Sequence, residues 1–452
     1  MNDMTRPNAP STAYLDHIVA ETEQRERRAV AASPAGTATA EDGGAPAALA
    51  DIAEQAVRRL ADDITEIACT LHARPETAFE EHESARFLVE VLARHGVSAE
   101  LGVHGLSTAF RAELGSAGSG PTIAICAEYD ALPGIGHGCG HNVIAAAGVG
   151  AFLALRKVMG ADDAPAGRVV LLGTPAEEGS SGKEILARNG ALDGIDAAIM
   201  VHPYGVDSAD QVWLGRRLLT WTFTGRSAHA SAQPFMGRNA LDAASLAYQG
   251  IGLLRQQITP ADRIHATITE GGTSPNVVTE RAVMRLYARS KYPDTLRDLS
   301  DRLDDVARGA ALMTGTEVEI GWDDGAAPSL PVRTNHTLTG RWVAAQRRRG
   351  RDPLPSGVLS ETIAASTDFG NVSFRVPGIH PLIKVAESGV ALHTAEFAEA
   401  AGGPAASSAA LDGAAGLAMT ALDYLCDADL RAAVHEEFAA QGGPIDVERY
   451  FG

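Results

Sequence analysis

The densest chemistry in the chain lies in one loop, Glu128-Tyr-Asp130-Ala-Leu-Pro-Gly-Ile-Gly-His137-Gly-Cys139-Gly-His141-Asn142. Cys139 and His141 stand two apart with glycines between and around them, so both side chains can turn toward one ion. Thiolate and imidazole are ordinary ligands of Zn2+ and neighbouring divalent metals. A second candidate, Thr174-Pro-Ala-Glu177-Glu178-Gly179, sets two carboxylates just after an apolar run. Burying them there is costly without a cation. Beside a cation they can divide the work, one as ligand and one as general base. His202 closes the apolar run Ala197–Val201, and His393 follows Gly389-Val-Ala-Leu. A single histidine at a strand end is ordinarily a core residue. Metal chemistry is indicated by coincidence, because several separate loops each offer a ligand-type side chain. Further along stand Gly225-Arg-Ser-Ala-His229-Ala, Gly271-Gly-Thr-Ser-Pro-Asn276-Val-Val and Arg289. Taken alone, these read as a hairpin histidine and solvated polar positions.

Something must position these residues. Strand-like runs at 98–103, 108–114, 122–127, 168–174 and 197–202 alternate with helical patterns at 49–71, 80–95 and 143–159. Continuous apolar strands between helices predict an α/β domain whose sheet is covered on both faces. The Cys139 and Glu177 loops then follow strand C-termini, the edge at which open α/β sheets hold ligands. Between residues 213 and 327 the order changes to strand, helix, strand, strand, helix, strand, with the elements at 213–224, 239–254, 265–270, 282–290, 294–313 and 318–322. That order is the ferredoxin-like, split βαβ pattern. The expected organisation is therefore an N-terminal extension and linker over 1–48 and a catalytic domain in two parts, 49–212 and 328–452. The second part ends in a helix over 408–425 with Ser408 as its N-cap. A small lid or dimerisation domain is inserted at 213–327. The segment 14–32 has helical character, and the rest of the extension is rich in Ala, Gly, Pro and Thr.

A length of 452 residues with 45% hydrophobic content supports more than one domain. A formal net charge of −19 repels phosphate backbones, so nucleic acid is not an expected partner. No uninterrupted apolar run of membrane-spanning length is present, and no membrane partner is expected. Cys69, Cys126, Cys139 and Cys426 form no disulfide framework, which suits a reducing, cytoplasmic setting.

The ordered motifs together resemble one family. They run Glu-Tyr-Asp-Ala-Leu-Pro, His-Gly-Cys-Gly-His-Asn, Pro-Ala-Glu-Glu-Gly, His202, Gly-x-x-Ala-His-Ala, Gly-Gly-x-x-x-Asn-Val and a late His-Thr. This sequence of motifs is similar to the two-metal peptidase family of carboxypeptidase G, aminoacylases, plant auxin-conjugate amidohydrolases and p-aminobenzoyl-glutamate hydrolase. The match spans roughly residues 50–430 and is closest to the amidohydrolase branch, in which a Cys replaces the usual bridging Asp. Ser366-Thr-Asp-Phe-Gly-Asn371-Val-Ser also resembles the p-aminobenzoyl-glutamate hydrolase and bacterial dipeptidase-like members. One departure is Thr279, where the family commonly has Pro.

The resemblance implies that Cys139, His141, Glu178, His202 and His393 bind two divalent ions, Mn2+ or Zn2+, with Cys139 bridging. It implies Glu177 as general base and Asp130 as the supporting carboxylate. His229 would be an oxyanion donor reaching a partner subunit, and Asn276 and Arg289 would be contacts for a substrate carboxylate. The implied enzyme is a homodimer that hydrolyses an amide C–N bond in a small substrate, such as a dipeptide, an N-acyl amino acid or an aryl-amide of glutamate. The same site would also suit hydrolytic deamination of an aromatic amine. A non-catalytic scaffold is disfavoured, since every expected ligand and Glu177 are present.

Overall fold

The computed structural model describes residues 11–32, 43–362 and 364–451. The two most apolar runs become adjacent parallel strands, Thr122–Ala127 and Arg168–Gly173, at the centre of a six-stranded sheet. Ala197–Ile199 lies parallel on the other side of Thr122–Ala127, and Gly378–Ile379 extends that edge. Phe110–Gly115 and Ala99–Leu101 complete the opposite edge antiparallel. Every residue of Thr122–Ala127 is buried, because elements cover both faces of the sheet. Ile123, Ile125 and Val169 pack with the helices Ala47–Arg59, Ala61–Ala73, His141–Met159 and Pro404–Cys426. Ala124, Val170 and Leu172 pack on the opposite face with Phe369 and Val372. Among the described residues, His141–Met159 is long and apolar enough to cross a membrane, yet 83% of its apolar window is buried inside the protein.

Trp213–Thr224, Ala240–Leu254, Arg263–Glu270, Arg281–Ser290, Pro293–Thr314 and Glu317–Trp322 follow one another in the order βαββαβ. Their strands form an antiparallel sheet in the order Glu317–Trp322, Trp213–Thr224, Arg281–Ser290, Arg263–Glu270. This is the split βαβ arrangement. Alternation along Trp213–Thr224 turns Leu219, Trp221 and Phe223 into a hydrophobic core with Leu299 and Leu303, separate from that of the large sheet.

Three elements differ from the sequence expectation, each for a local reason. The helix expected over 49–71 is two helices, Ala47–Arg59 and Ala61–Ala73, joined at Leu60. Arg58 and Arg59 close the first and Asp62 and Asp63 open the second, so each charge complements the helix end it occupies. The strand expected over 197–202 stops at Ile199, and His202–Tyr204 pairs instead with Leu382–Lys384. The Met200 N–H still donates to the Ile379 carbonyl, but Pro381 on the partner segment has no N–H to continue the ladder. The helix expected over 408–425 starts at Pro404 after Gly403, so Ser408 lies within it rather than capping it, and the chain does not end there but continues through Ala428–Ala440 and Val447–Phe451; Pro is favoured at a first helical position.

The N-terminal helix spans Ala13–Ala32. Ile18 is buried, and Tyr14 Oη donates to Thr362 Oγ1 at 3.3 Å. The remainder of the extension, 1–10 and 33–42, lies outside the described residues.

Candidate metal centre

The site is assembled at strand ends. Gly140 adopts φ +78°, a left-handed conformation that glycine takes without strain. A Cβ there would meet Pro203 Cγ at 2.5 Å. This turn ends the Cys139 loop and makes His141 the first residue of the helix His141–Met159. Cys139 Sγ comes to 3.5 Å from His202 Nε2. His202 Nδ1 donates to the Pro203 carbonyl at 2.7 Å, which leaves the lone pair on Nε2 facing Cys139. His141 Nδ1 donates to Asp130 Oδ1 at 2.9 Å, which directs its Nε2 inward. That Nε2 lies 3.3 Å from Glu128 Oε2 and 3.9 Å from Glu177 Oε2.

The second loop is held by the same carboxylate. Asp130 Oδ2 accepts the Glu178 backbone N–H at 2.8 Å. Upstream, Ala176 sits at φ +60°, an uncommon state for a residue with a Cβ. Its N–H donates to Glu81 Oε1 at 2.8 Å. His393, at φ +63°, donates its N–H to the Gly138 carbonyl at 2.9 Å, so the late histidine is tied to the Cys139 loop. His393 Nε2 lies 3.3 Å from Glu178 Oε1. Thr394, next in sequence, caps the helix Ala395–Ala401 through its side chain.

Five expected ligands therefore converge, with Glu177 and Asp130 beside them. Ligand atoms group within 4.8 Å of one another as Cys139/His141/His202, Cys139/Glu178/His393 and His141/Glu177/Glu178. Cys139 belongs to two of these groups. Beyond the ion-pair contacts just given, Glu128 Oε2, His141 Nε2 and Glu178 Oε1 are buried without a hydrogen bond, an arrangement that folded proteins rarely tolerate without a ligand. The electrostatics favour a cation. Burial alone would depress the His141 pKa, but Asp130 and Glu128 outweigh it and hold it well above the usual imidazole range. Burial, with Glu128 and Glu178 adding to it, pushes the Glu177 carboxyl well up. His202 is pulled down to about 3 by burial and by His141, so it is a neutral nitrogen donor. A mixed sulfur, nitrogen and oxygen donor set with this negative field fits divalent transition ions.

His229 and Asn276 are placed elsewhere. Both are exposed, and the segments that carry them pair, with the Ala230 N–H donating to the Asn276 carbonyl at 3.0 Å and His229 bridging to Val277. Neither lines the cavity of about 370 Å3 that holds Cys139, Glu177, Glu178, His202 and His393. Arg289 does line it.

Residues not singled out from the sequence also build the site. Buried Lys183 pairs with Glu128 and, at 2.6 Å, with Asp368 Oδ1. Its ammonium stays charged because Asp368 and Glu128 outweigh the burial that opposes it. Glu81 holds both Ala176 and Thr108 Oγ1. His380 packs its ring 5.5 Å from that of His202. Asp368 lies within the motif already noted at 366–373. Lys183, Glu81 and His380 carry no local signature, since their partners are remote in sequence.

Residues 124–408 match Peptidase family M20/M25/M40. The chain belongs to that family. The Xaa-Arg dipeptidase of Mus musculus is 38% identical over 397 residues, covering 84% of this chain and 91% of its own length. A p-aminobenzoyl-glutamate hydrolase polypeptide of Escherichia coli is 32% identical, covering 73% of this chain and 82% of its own. Among solved structures, the YXEP protein of Bacillus subtilis, a dinuclear metal-binding M20 peptidase, aligns with a TM-score of 0.61 at 21% identity, over 81% of this chain and 99% of that one. That likeness extends the fold to the M20 architecture. This M20 member is accordingly a metal-dependent hydrolase of amide C–N bonds.

Proposed function

We propose that this M20 hydrolase cleaves the amide bond of a small substrate whose leaving group carries a carboxylate. Dipeptides, N-acyl amino acids and aryl-amides of glutamate are the candidate class. The observation that carries the reading is the set of three ligand groupings, two of them sharing Cys139 and the third including the acid Glu177. Cys139, His141, Glu178, His202 and His393 would hold two divalent ions, Mn2+ or Zn2+, with Cys139 common to both. When bound, such ions supply an activated water and polarise the scissile carbonyl.

The chain's own residues do the rest. Glu177, kept basic by burial among carboxylates, takes a proton on its carboxylate and passes it to the leaving nitrogen. Asp130 fixes the His141 ring and the Glu178 backbone together, so both loops keep one geometry. Arg289 orients the substrate carboxylate from the cavity wall. His229 and Asn276 act from a second copy of the chain, His229 donating to the oxyanion and Asn276 contacting the substrate carboxylate. This requires a homodimer formed through the 213–327 unit, with 49–212 and 328–452 as the catalytic unit. Opening and closing between the two units then admits substrate and excludes water. The reduced Cys139 thiol this needs, together with the other free cysteines, favours a cytoplasmic location.

Wild type and Glu177→Gln, each reconstituted with Mn2+ or Zn2+, test the reading against a panel of dipeptides and N-acyl amino acids. Equal metal content with kcat lowered about 100- to 10,000-fold in the variant is expected. Equal turnover by the two proteins would remove Glu177 as the base.

A further inference from the structure

Resting on the amide-hydrolase reading above, we infer that the cavity selects a leaving group with two negative charges, such as an acidic amino acid, through an in-register row of Arg216, Arg289 and Arg263. The row follows from strand pairing. Arg216 on Trp213–Thr224 stands directly opposite Arg289 on Arg281–Ser290, and Arg289 stands directly opposite Arg263 on Arg263–Glu270. All three line the cavity that also holds Cys139, Glu177 and His202.

Like charges directly opposite each other on neighbouring strands destabilise a sheet. Here three occur in succession, and among the described residues none has a carboxylate within ion-pair distance. Arg216 donates to Ser181 Oγ at 2.9 Å. Arg263 reaches the Pro260 and Asp262 carbonyls at 2.7 and 2.8 Å. Arg289 lies against the ring of Tyr287, 4.9 Å from its guanidinium carbon, and Arg216 crowds the same ring at 5.5 Å. Burial, with the charge of Arg216 adding to it, pulls the Arg289 guanidinium below its ordinary value.

One guanidinium suffices for the α-carboxylate of any amino-acid leaving group. Two more, abreast of it, match a second carboxylate, because guanidinium groups bind carboxylates as planar forks. A basic leaving group finds no counterpart here. Among the described residues, the carboxylates lining the cavity are Glu177 and Glu178, which belong to the metal centre. A preference for acidic leaving groups would set this chain apart from its relative named for Xaa-Arg substrates.

The test uses the metal-loaded protein and two readouts. Calorimetry measures binding of L-glutamate, L-glutamine and L-arginine, and hydrolysis is assayed with Ala-Glu, Ala-Gln and Ala-Arg. Glutamate is expected to bind about tenfold or more tightly than glutamine or arginine, as one charge-assisted contact implies. Arg263→Gln, on an edge strand, should bring the glutamate-to-glutamine ratio to within about twofold. Arg216→Gln should do so independently. Glutamine or arginine binding as well as glutamate, undetectable glutamate binding, or a ratio unmoved in well-folded variants would overturn the inference. Discrimination in binding without hydrolysis of any dipeptide would count against the amide-hydrolase reading and leave the arginine row standing. Hydrolysis without discrimination would do the reverse.

Discussion

Asp130 is the residue through which the site is most economically tested. Its carboxylate is buried and accepts two hydrogen bonds, from His141 Nδ1 at 2.9 Å and from the Glu178 backbone N–H at 2.8 Å. Replacing it by Asn conserves shape but leaves one acceptor facing two donors. Whichever bond survives, the other N–H meets an amide N–H2, and burial leaves no solvent to compensate. A hydrogen bond to a charged group contributes about 1.5–3 kcal/mol. With about 1.4 kcal/mol per tenfold change in an equilibrium constant, the expected loss in metal affinity is about 10- to 100-fold. That agrees with the usual effect of removing a partner that orients a metal-bound histidine. The assay is titration of chelator-stripped Asp130→Asn and wild type with Mn2+ and with Zn2+, monitored by competition with a chromophoric chelator. Circular dichroism of both metal-free proteins controls for folding. A variant that is folded and binds both metals within about twofold of wild type would refute the assignment of Asp130 as the brace of the centre.

Two further perturbations rest on local geometry. Gly140→Ala forces a Cβ into a left-handed position 2.5 Å from Pro203 Cγ; the expected outcome is a loss of about 1 kcal/mol or more of stability together with weakened metal binding, read by urea unfolding and metal titration. The Glu81 carboxyl is raised by burial and by Asp130 from 4.5 to about 7. Between those values the folded protein binds more protons at this group than the unfolded chain does, so stability falls as pH rises through the window, by about 3 kcal/mol from this group. Glu81→Gln mimics the neutral acid and removes that slope. The stability difference between variant and wild type should therefore grow in the variant's favour from pH 4.5 to 7. A difference independent of pH would show that Glu81 is not neutral in the fold.

Much of this protein was legible from the chain alone, for reasons of locality. Cys139-Gly-His141 and Glu177-Glu178 each place two groups within three residues, at the ends of apolar runs long enough to be strands. Backbone geometry then leaves few places for them except a common sheet edge. The βαββαβ order of 213–322 is likewise a property of local periodicity, and so were its six elements. The break at Leu60 could have been read from Arg58-Arg59 and Asp62-Asp63, which are poorly suited to the middle of a single helix. What no local pattern contains is the pairing of remote residues. Lys183 lies beside Glu128 and Asp368 only because the sheet and the helix Phe369–Ser373 close over it, and Glu81 reaches Ala176 across 95 positions. The alignment of Arg216, Arg289 and Arg263 depends on strand register, and a slip of one residue would turn a strand's side chains to the other face. Composition and spacing determined which chemistry the chain can perform. Tertiary structure decided which charges that chemistry meets, because the field at a buried site is summed over neighbours the sequence does not place side by side.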